Sequence, residues 1–353
     1  MSRLFEKVRI GNVDLKNRIG MAPMTRSRAL PDGTPSDLVA EYYGQRASVG
    51  LIISEGTQPS DDGQGYTNTP GIYTENHIKG WKKVTSKVHN EGGHIFVQLM
   101  HVGRVSHPDN TLHHRQAVAP SAIAPGVEIF TAEGMKEIPT PRELSEFEIK
   151  DVINEFRLAA RSAIEAGADG VEIHGANGYL IQQFLSENSN HRQDAYGGTI
   201  EGRSRFAIEV AKAVVDEIGP ERTGIRFSPQ GTLNGIEEGE TSSEMYRYLI
   251  SELDKLNLAY LHIMHFGNES LLQDIRQLWS QALLVNRAGR TLDQLTVDLD
   301  NELADVITVG TWMIANPDFV ERLKLDAPLN TPDRNTIYAG GAEGYTDYPF
   351  LKE

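Results

Sequence analysis

The sequence predicts a single (β/α)8 TIM barrel, and three observations carry that expectation. Eight short apolar runs recur along the 353 residues, each followed by a loop and then by a longer stretch with helical spacing. The runs are continuously apolar rather than alternating, which marks strands buried on both faces. Strands that alternate with helices pair in parallel through right-handed crossovers, and eight such units close a barrel. No G-x-G-x-x-G follows the first run and no P-loop motif is present, which weighs against a doubly wound open sheet, the other fold open to such a pattern.

The expected strands cover 19–24, 51–55, 94–99, 170–174, 223–228, 259–265, 282–286 and 305–310. Between them lie helical patterns such as 147–166, where Ile149, Ile153, Phe156, Ala160 and Ile164 mark one face. The gap between the third and fourth strands is too long for a simple crossover. Segment 105–141 is rich in turn formers, and a helix start is first legible at Leu144-Ser145. A lid or cap over the barrel mouth is the expectation for 105–141, within one domain spanning 1–353. Its adjacent His113 and His114 lack a matching carboxylate pattern, so no metal site is expected.

Composition bounds the function. With 39% hydrophobic and 24% charged residues and no long apolar run, the chain reads as a soluble globular protein with no membrane segment. Its first residues lack the apolar core of a secretory signal, and the cytoplasm is the expected compartment. The absence of cysteine excludes disulfides, thiolate nucleophiles and Cys-ligated metal centres together. A net charge of −15, from 34 basic against 49 acidic residues, disfavours nucleic acid and anionic lipid as partners. A monomer or small homo-oligomer acting on small molecules is expected.

In such a barrel the chemistry sits at the C-terminal ends of the strands. The fourth strand ends in His174, Asn177 and Tyr179, interleaved with Gly175, Ala176 and Gly178. His and Asn can together donate two hydrogen bonds to one oxygen, and a phenol a step away can supply a proton. That is an electrophile clamp with a general acid, weighed against a turn whose polar groups satisfy the backbone. Pro23, Met24 and Thr25 follow the first strand, Gly56 the second, Gln98 and Met100 end the third, and Arg226 lies on the fifth. A hydroxyl, an amide, a backbone pair and a guanidinium suit the edge of a flat heterocycle with several acceptors, and a flavin ring fits that inventory.

Several motifs in order make the likeness specific. They are Asn17-Arg18-Ile19-Gly20-Met21-Ala22-Pro23-Met24-Thr25-Arg26, Ile53-Ser54-Glu55-Gly56, Phe96-Val97-Gln98-Leu99, and His174-Gly175-Ala176-Asn177-Gly178-Tyr179-Leu180. To these are added the run from Asn190 to Gly198, Arg226-Phe227-Ser228-Pro229, Asn316-Pro317-Asp318, and Gly344-Tyr345-Thr346-Asp347-Tyr348-Pro349. Over nearly its whole length the chain resembles the old yellow enzyme family of flavin-dependent ene-reductases. The resemblance implies an FMN-binding barrel that takes hydride from NADPH or NADH and reduces the C=C bond of α,β-unsaturated carbonyl or nitro compounds. It also implies that hydride passes from flavin N5 to the β-carbon while His174 and Asn177 grip the oxygen and Tyr179 protonates the α-carbon. Thr25 and Gln98 would face the ring, and Arg226 its N1 and O2 side. Tyr66, Met100, Phe266 and Tyr345 are expected to wall the substrate.

The chain departs from the family at two places. Relatives carry Gly-Arg after the eighth strand for the FMN phosphate, whereas here Gly310 is followed by Thr311 and Trp312. The loop after the seventh strand, Arg287-Ala288-Gly289-Arg290, is basic, and either arginine is a candidate replacement. Backbone amides of Ala288, Gly289, Gly310 and Thr311 are further phosphate donors. Met100 stands where many relatives place tryptophan, which reshapes the pocket. Two competing readings are a flavin-free phosphate-binding barrel lyase, for which no Schiff-base lysine is evident at a strand end, and a barrel that has lost its cofactor and acts as a binding protein.

Overall fold

The computed structural model describes residues 2–351. Eight parallel strands close into a barrel, each hydrogen-bonded to its neighbours in chain order. They are β1 (Ile19–Met21), β2 (Leu51–Ile53), β3 (Ile95–Leu99), β4 (Gly170–Gly175), β5 (Thr223–Phe227), β6 (Tyr260–His265), β7 (Ala282–Arg287) and β8 (Val306–Val309). All eight predicted runs are strands, most of them shorter at an end than the apolar run. Inter-strand hydrogen bonding runs one residue past β1 and β2, through the N–H groups of Ala22 and Ser54. The outward faces of the strands pack against the surrounding helices in one continuous core that includes Val97, Val171, Ile173, Ile225 and Phe227.

The barrel interior is layered by the two-residue period of a strand. Its floor is apolar: Leu51, Ile53, Phe96, Tyr260, Leu284 and Val306 cluster with Ile10, Val13 and Leu15. The last three belong to an antiparallel hairpin, Val8–Ile10 with Val13–Leu15, that plugs the N-terminal end. The Phe96 and Tyr260 rings need space, and Gly170 and Gly224 provide it. A Cβ on either glycine would come within 2.5 Å of those rings. Two residues further along the strands, the same inward face turns polar, with Gln98, Glu172, Arg226, His262 and Thr308 all buried.

The insertion after β3 holds a second hairpin, Glu128–Thr131 with Gly134–Glu137. Val118–Ala119 pairs with Arg142–Glu143 at its base. The helix that follows, Glu146–Glu165, starts at Ser145, whose side chain accepts from the Glu148 N–H while Glu148 reaches back to the Ser145 N–H. Ile129 and Ile138 of the insertion cluster with Met100, Val102 and Tyr179, so this segment packs directly against the end of β4. No helix among the described residues is long and apolar enough to cross a membrane.

Candidate active site

His174 lies on the last part of β4, beside Arg226 of β5. Its Nδ1 accepts from the Ala176 N–H at 3.2 Å. A nitrogen that accepts carries no proton, so in the neutral ring the proton is on Nε2. Burial, with Arg226 and His262 adding to it, holds the imidazole well below its ordinary pKa. His174 is therefore a neutral donor through Nε2–H, which has no protein acceptor among the described residues.

Asn177 takes a left-handed backbone conformation at φ 59°, which asparagine tolerates better than most residues. Its N–H donates to Ser228 Oγ at 2.9 Å, and its carbonyl accepts from Asn234 Nδ2 at 2.7 Å. Gln182 accepts from both the Gly178 N–H and the Ser228 hydroxyl. The turn is thus pinned from outside, and the Asn177 side chain is free; its Oδ1 is buried without a partner. Tyr179 follows with its hydroxyl 3.0 Å from that of Tyr66 and its ring edge-on to His174, centroids 5.1 Å apart. Burial and the neighbouring Tyr66 hold the Tyr179 phenol well above its ordinary pKa, so it keeps its proton.

The other strand ends complete the walls. Pro23, Met24 and Thr25 are half-buried after β1. Gly56 is packed so tightly on Met100 that a Cβ would sit 2.4 Å from the sulfur. Gln98 and Arg226 are both buried. The Arg226 side chain makes no hydrogen bond and no ion pair among the described residues, and its Nε is fully enclosed. A guanidinium buried in that way is costly unless a ligand's acceptors meet it. At the far side, Ala288 and Gly289 after β7 and Gly310 and Thr311 after β8 have N–H groups that donate to no neighbouring loop or turn. These amides are free for an anion.

Four of the remaining expectations fare differently. Tyr345 does not wall the site; it is fully buried, stacked on Tyr42 at 4.1 Å, with the guanidiniums of Arg26 and Arg28 at 5.0 and 4.8 Å from its ring centroid. The cation–π contacts and the docking of the C-terminal segment on the β1 loop take it out of the mouth. Arg287 is committed to Asp298, at 2.8 and 3.0 Å, and to Glu269. Arg290 is held less fully, by Asp298 at 2.9 Å and the Gln294 carbonyl. Phe266 is 41% exposed, packed near Gly231 at the end of β5.

The sequence reading missed two residues here. Asn234 lies beside both phenol hydroxyls, and Tyr338, 67% exposed, lies near the same pair. Asn234 sits in a loop with no motif, but its positive φ of 58° follows the same Asn preference as Asn177. Tyr338 had no signal of its own. Two open clefts of about 490 and 540 Å³ lie at the opposite, N-terminal end of the barrel and include none of these groups.

A neutral His174, the side chain of Asn177, a protonated phenol and an unpaired guanidinium at the C-terminal mouth of a (β/α)8 barrel are groups that suit a flavin-dependent oxidoreductase. The chain belongs to the NADH:flavin oxidoreductase / NADH oxidase family, whose model matches residues 3–330. It is 39% identical to 12-oxophytodienoate reductase 2 of Arabidopsis thaliana, over 99% of this chain and 96% of that one. It is also 39% identical to a probable flavin mononucleotide-dependent alkene reductase of Leishmania infantum, over 97% and 96%. Among solved structures, morphinone reductase in complex with tetrahydroNAD superposes with TM-score 0.95 at 44% identity, covering 99% of this chain and 98% of that one. The old yellow enzyme homologue of Zymomonas mobilis superposes with TM-score 0.95 at 38% identity, covering 99% of both. The chain is an FMN-dependent NAD(P)H oxidoreductase of the old yellow enzyme type that reduces activated alkenes. The residues present fit FMN, since the unpaired Arg226 and the Gln98 amide suit the ring's polar edge and the free amides of the β7 and β8 loops suit its phosphate.

Proposed function

We propose that His174, Asn177 and Tyr179 divide the reduction of an α,β-unsaturated carbonyl or nitro compound between them. Bound FMN, recharged by NADPH or NADH, supplies the hydride that adds to the β-carbon. Negative charge then develops on the substrate oxygen, where the Nε2–H of His174 and the Asn177 amide donate to it. The Tyr179 hydroxyl delivers a proton to the α-carbon, so that H⁻ and H⁺ together saturate the double bond. Tyr66, hydrogen-bonded to Tyr179, is placed to stabilise the phenolate left behind. Arg226, Gln98, Thr25 and the backbone at Pro23, Met24 and Gly56 would hold the ring, and Ala288, Gly289, Gly310, Thr311 and Arg290 the phosphate. Tyr66, Met100, Phe266, Asn234 and Tyr338 would line the substrate, with segment 105–141 as the lid that excludes water.

The observation that carries this reading is the pairing of a neutral, proton-bearing His174 Nε2 with a phenol that stays protonated, ring to ring at 5.1 Å. The test separates the two half-reactions by anaerobic stopped-flow. H174A and N177A should take FMN and be reduced by NADPH, yet react with cyclohexenone about 10²-fold more slowly. Equal slowing of both halves would contradict the assignment.

A further inference from the structure

A buried chain of polar groups crosses the barrel from β3 to β8. Gln98 Nε2 donates to Glu172 Oε1 at 2.7 Å. His262 Nδ1 lies 2.9 Å from Glu172 Oε2, and its Nε2 lies 2.8 Å from Thr308 Oγ1. Glu172 and His262 are both fully buried. Burial alone would raise the Glu172 carboxyl, but His262, Arg226 and the Gln98 amide outweigh it and keep it below the usual carboxylate range. It is an ionised acceptor.

An ionised carboxylate can only accept, and that fixes the polarity of everything around it. Gln98 must show it the amino group, which leaves the Gln98 carbonyl oxygen free to accept from elsewhere. His262 must donate from Nδ1, so Nε2 accepts from the Thr308 hydroxyl. Glu172 is in register with Gly224, two residues before Arg226, whose own register partners are His174 and His262. No carboxylate pairs directly with Arg226 among the described residues, and Glu172 is the acid whose charge acts on it. In a low-dielectric interior that influence reaches well beyond hydrogen-bond range.

We propose that Glu172 is a positioning residue for the cofactor end of the site: it orients Gln98 as an acceptor, and its charge sets how much of the Arg226 positive charge bound FMN experiences. This rests on the reading that Gln98 and Arg226 hold the ring. Reduction adds negative charge at the ring, and Glu172 opposes that addition while Arg226 favours it. Removing the Glu172 charge leaves Arg226 uncompensated and makes the reduced form easier to reach.

The experiment loads wild-type, E172Q and E172D protein with FMN and measures the midpoint potential of the bound flavin, the FMN dissociation constant and thermal stability. E172Q should shift the potential upward, and E172D, which keeps the charge but withdraws it by one methylene, should fall between E172Q and wild type. A folded, FMN-loaded E172Q at the wild-type potential overturns the proposal. Where only E172D folds, that variant at the wild-type potential overturns it equally, and loss of the fold in both assigns Glu172 to stability alone. Failure of the wild-type protein to take up FMN would overturn the reading of the ring site together with this inference.

Discussion

At the scale of single residues, the proposed clamp is legible from chemistry and spacing because His174, Asn177 and Tyr179 fall within six positions of one strand end. The walls contributed from distant segments are not. Tyr345 and Tyr338 are equally aromatic and only seven residues apart, yet Arg26 and Arg28 draw the first into the core while the second stays near the phenol pair. A sequence carries no record of which tyrosine a guanidinium will stack on. Tyr179 supports two expectations. Y179F should leave reduction by NADPH unchanged and slow turnover of cyclohexenone by about 10²- to 10⁴-fold. Because the phenol titrates well above its usual value of about 10, the wild-type rate of that second step should stay flat with pH up to about 10. A decline that begins near neutrality would point to another acid.

At the scale of elements, the continuous apolar runs located every strand of the barrel, and Ser145 located the start of the helix after the insertion. The runs 19–24 and 51–55 overreached at their C-terminal ends, since Ala22 to Met24 continue the apolar pattern past the end of β1 and Ser54-Glu55 lie past the end of β2. The hairpins at 8–15 and 128–137 went unseen because each is short and gains its stability from packing on the barrel rather than from its own pattern. S145A should cost roughly 1 kcal/mol by removing the capping box, seen as a lower melting temperature with FMN binding intact. The β7 loop separates two arginines that look alike in sequence. R287A strips Asp298 and Glu269 of their main partner and should lower stability. R290A should weaken FMN binding with little change in melting temperature. FMN affinity unchanged in R290A, measured by fluorescence titration, would leave the phosphate to the backbone amides of Ala288, Gly289, Gly310 and Thr311.

At the scale of the whole molecule, the barrel runs from an apolar floor through a buried polar layer to a mouth where Ile129 and Ile138 of the insertion pack with Met100 and Tyr179. That layering carries a stability consequence at low pH. His101 is held neutral by burial, its pKa pushed down to about 4 from an ordinary 6.5. The unfolded chain therefore takes up the proton first as pH falls, and stability is lost between about 6.5 and 4, by on the order of 3 kcal/mol for this group. Chemical denaturation across that range should show a shallower loss for H101Q than for wild type, with the remaining slope due in part to buried His174 and His262. The fold followed from strand count and spacing, whereas the function needed the strand ends read as a set. The most direct measurement of that function is an anaerobic cycle in one cuvette. The FMN-loaded protein should be yellow, NADPH should bleach it, and cyclohexenone added without oxygen should restore the colour with one equivalent of saturated ketone. A preparation that cannot be loaded with FMN, or that bleaches and is not reoxidised by enone or nitroalkene, would contradict the account.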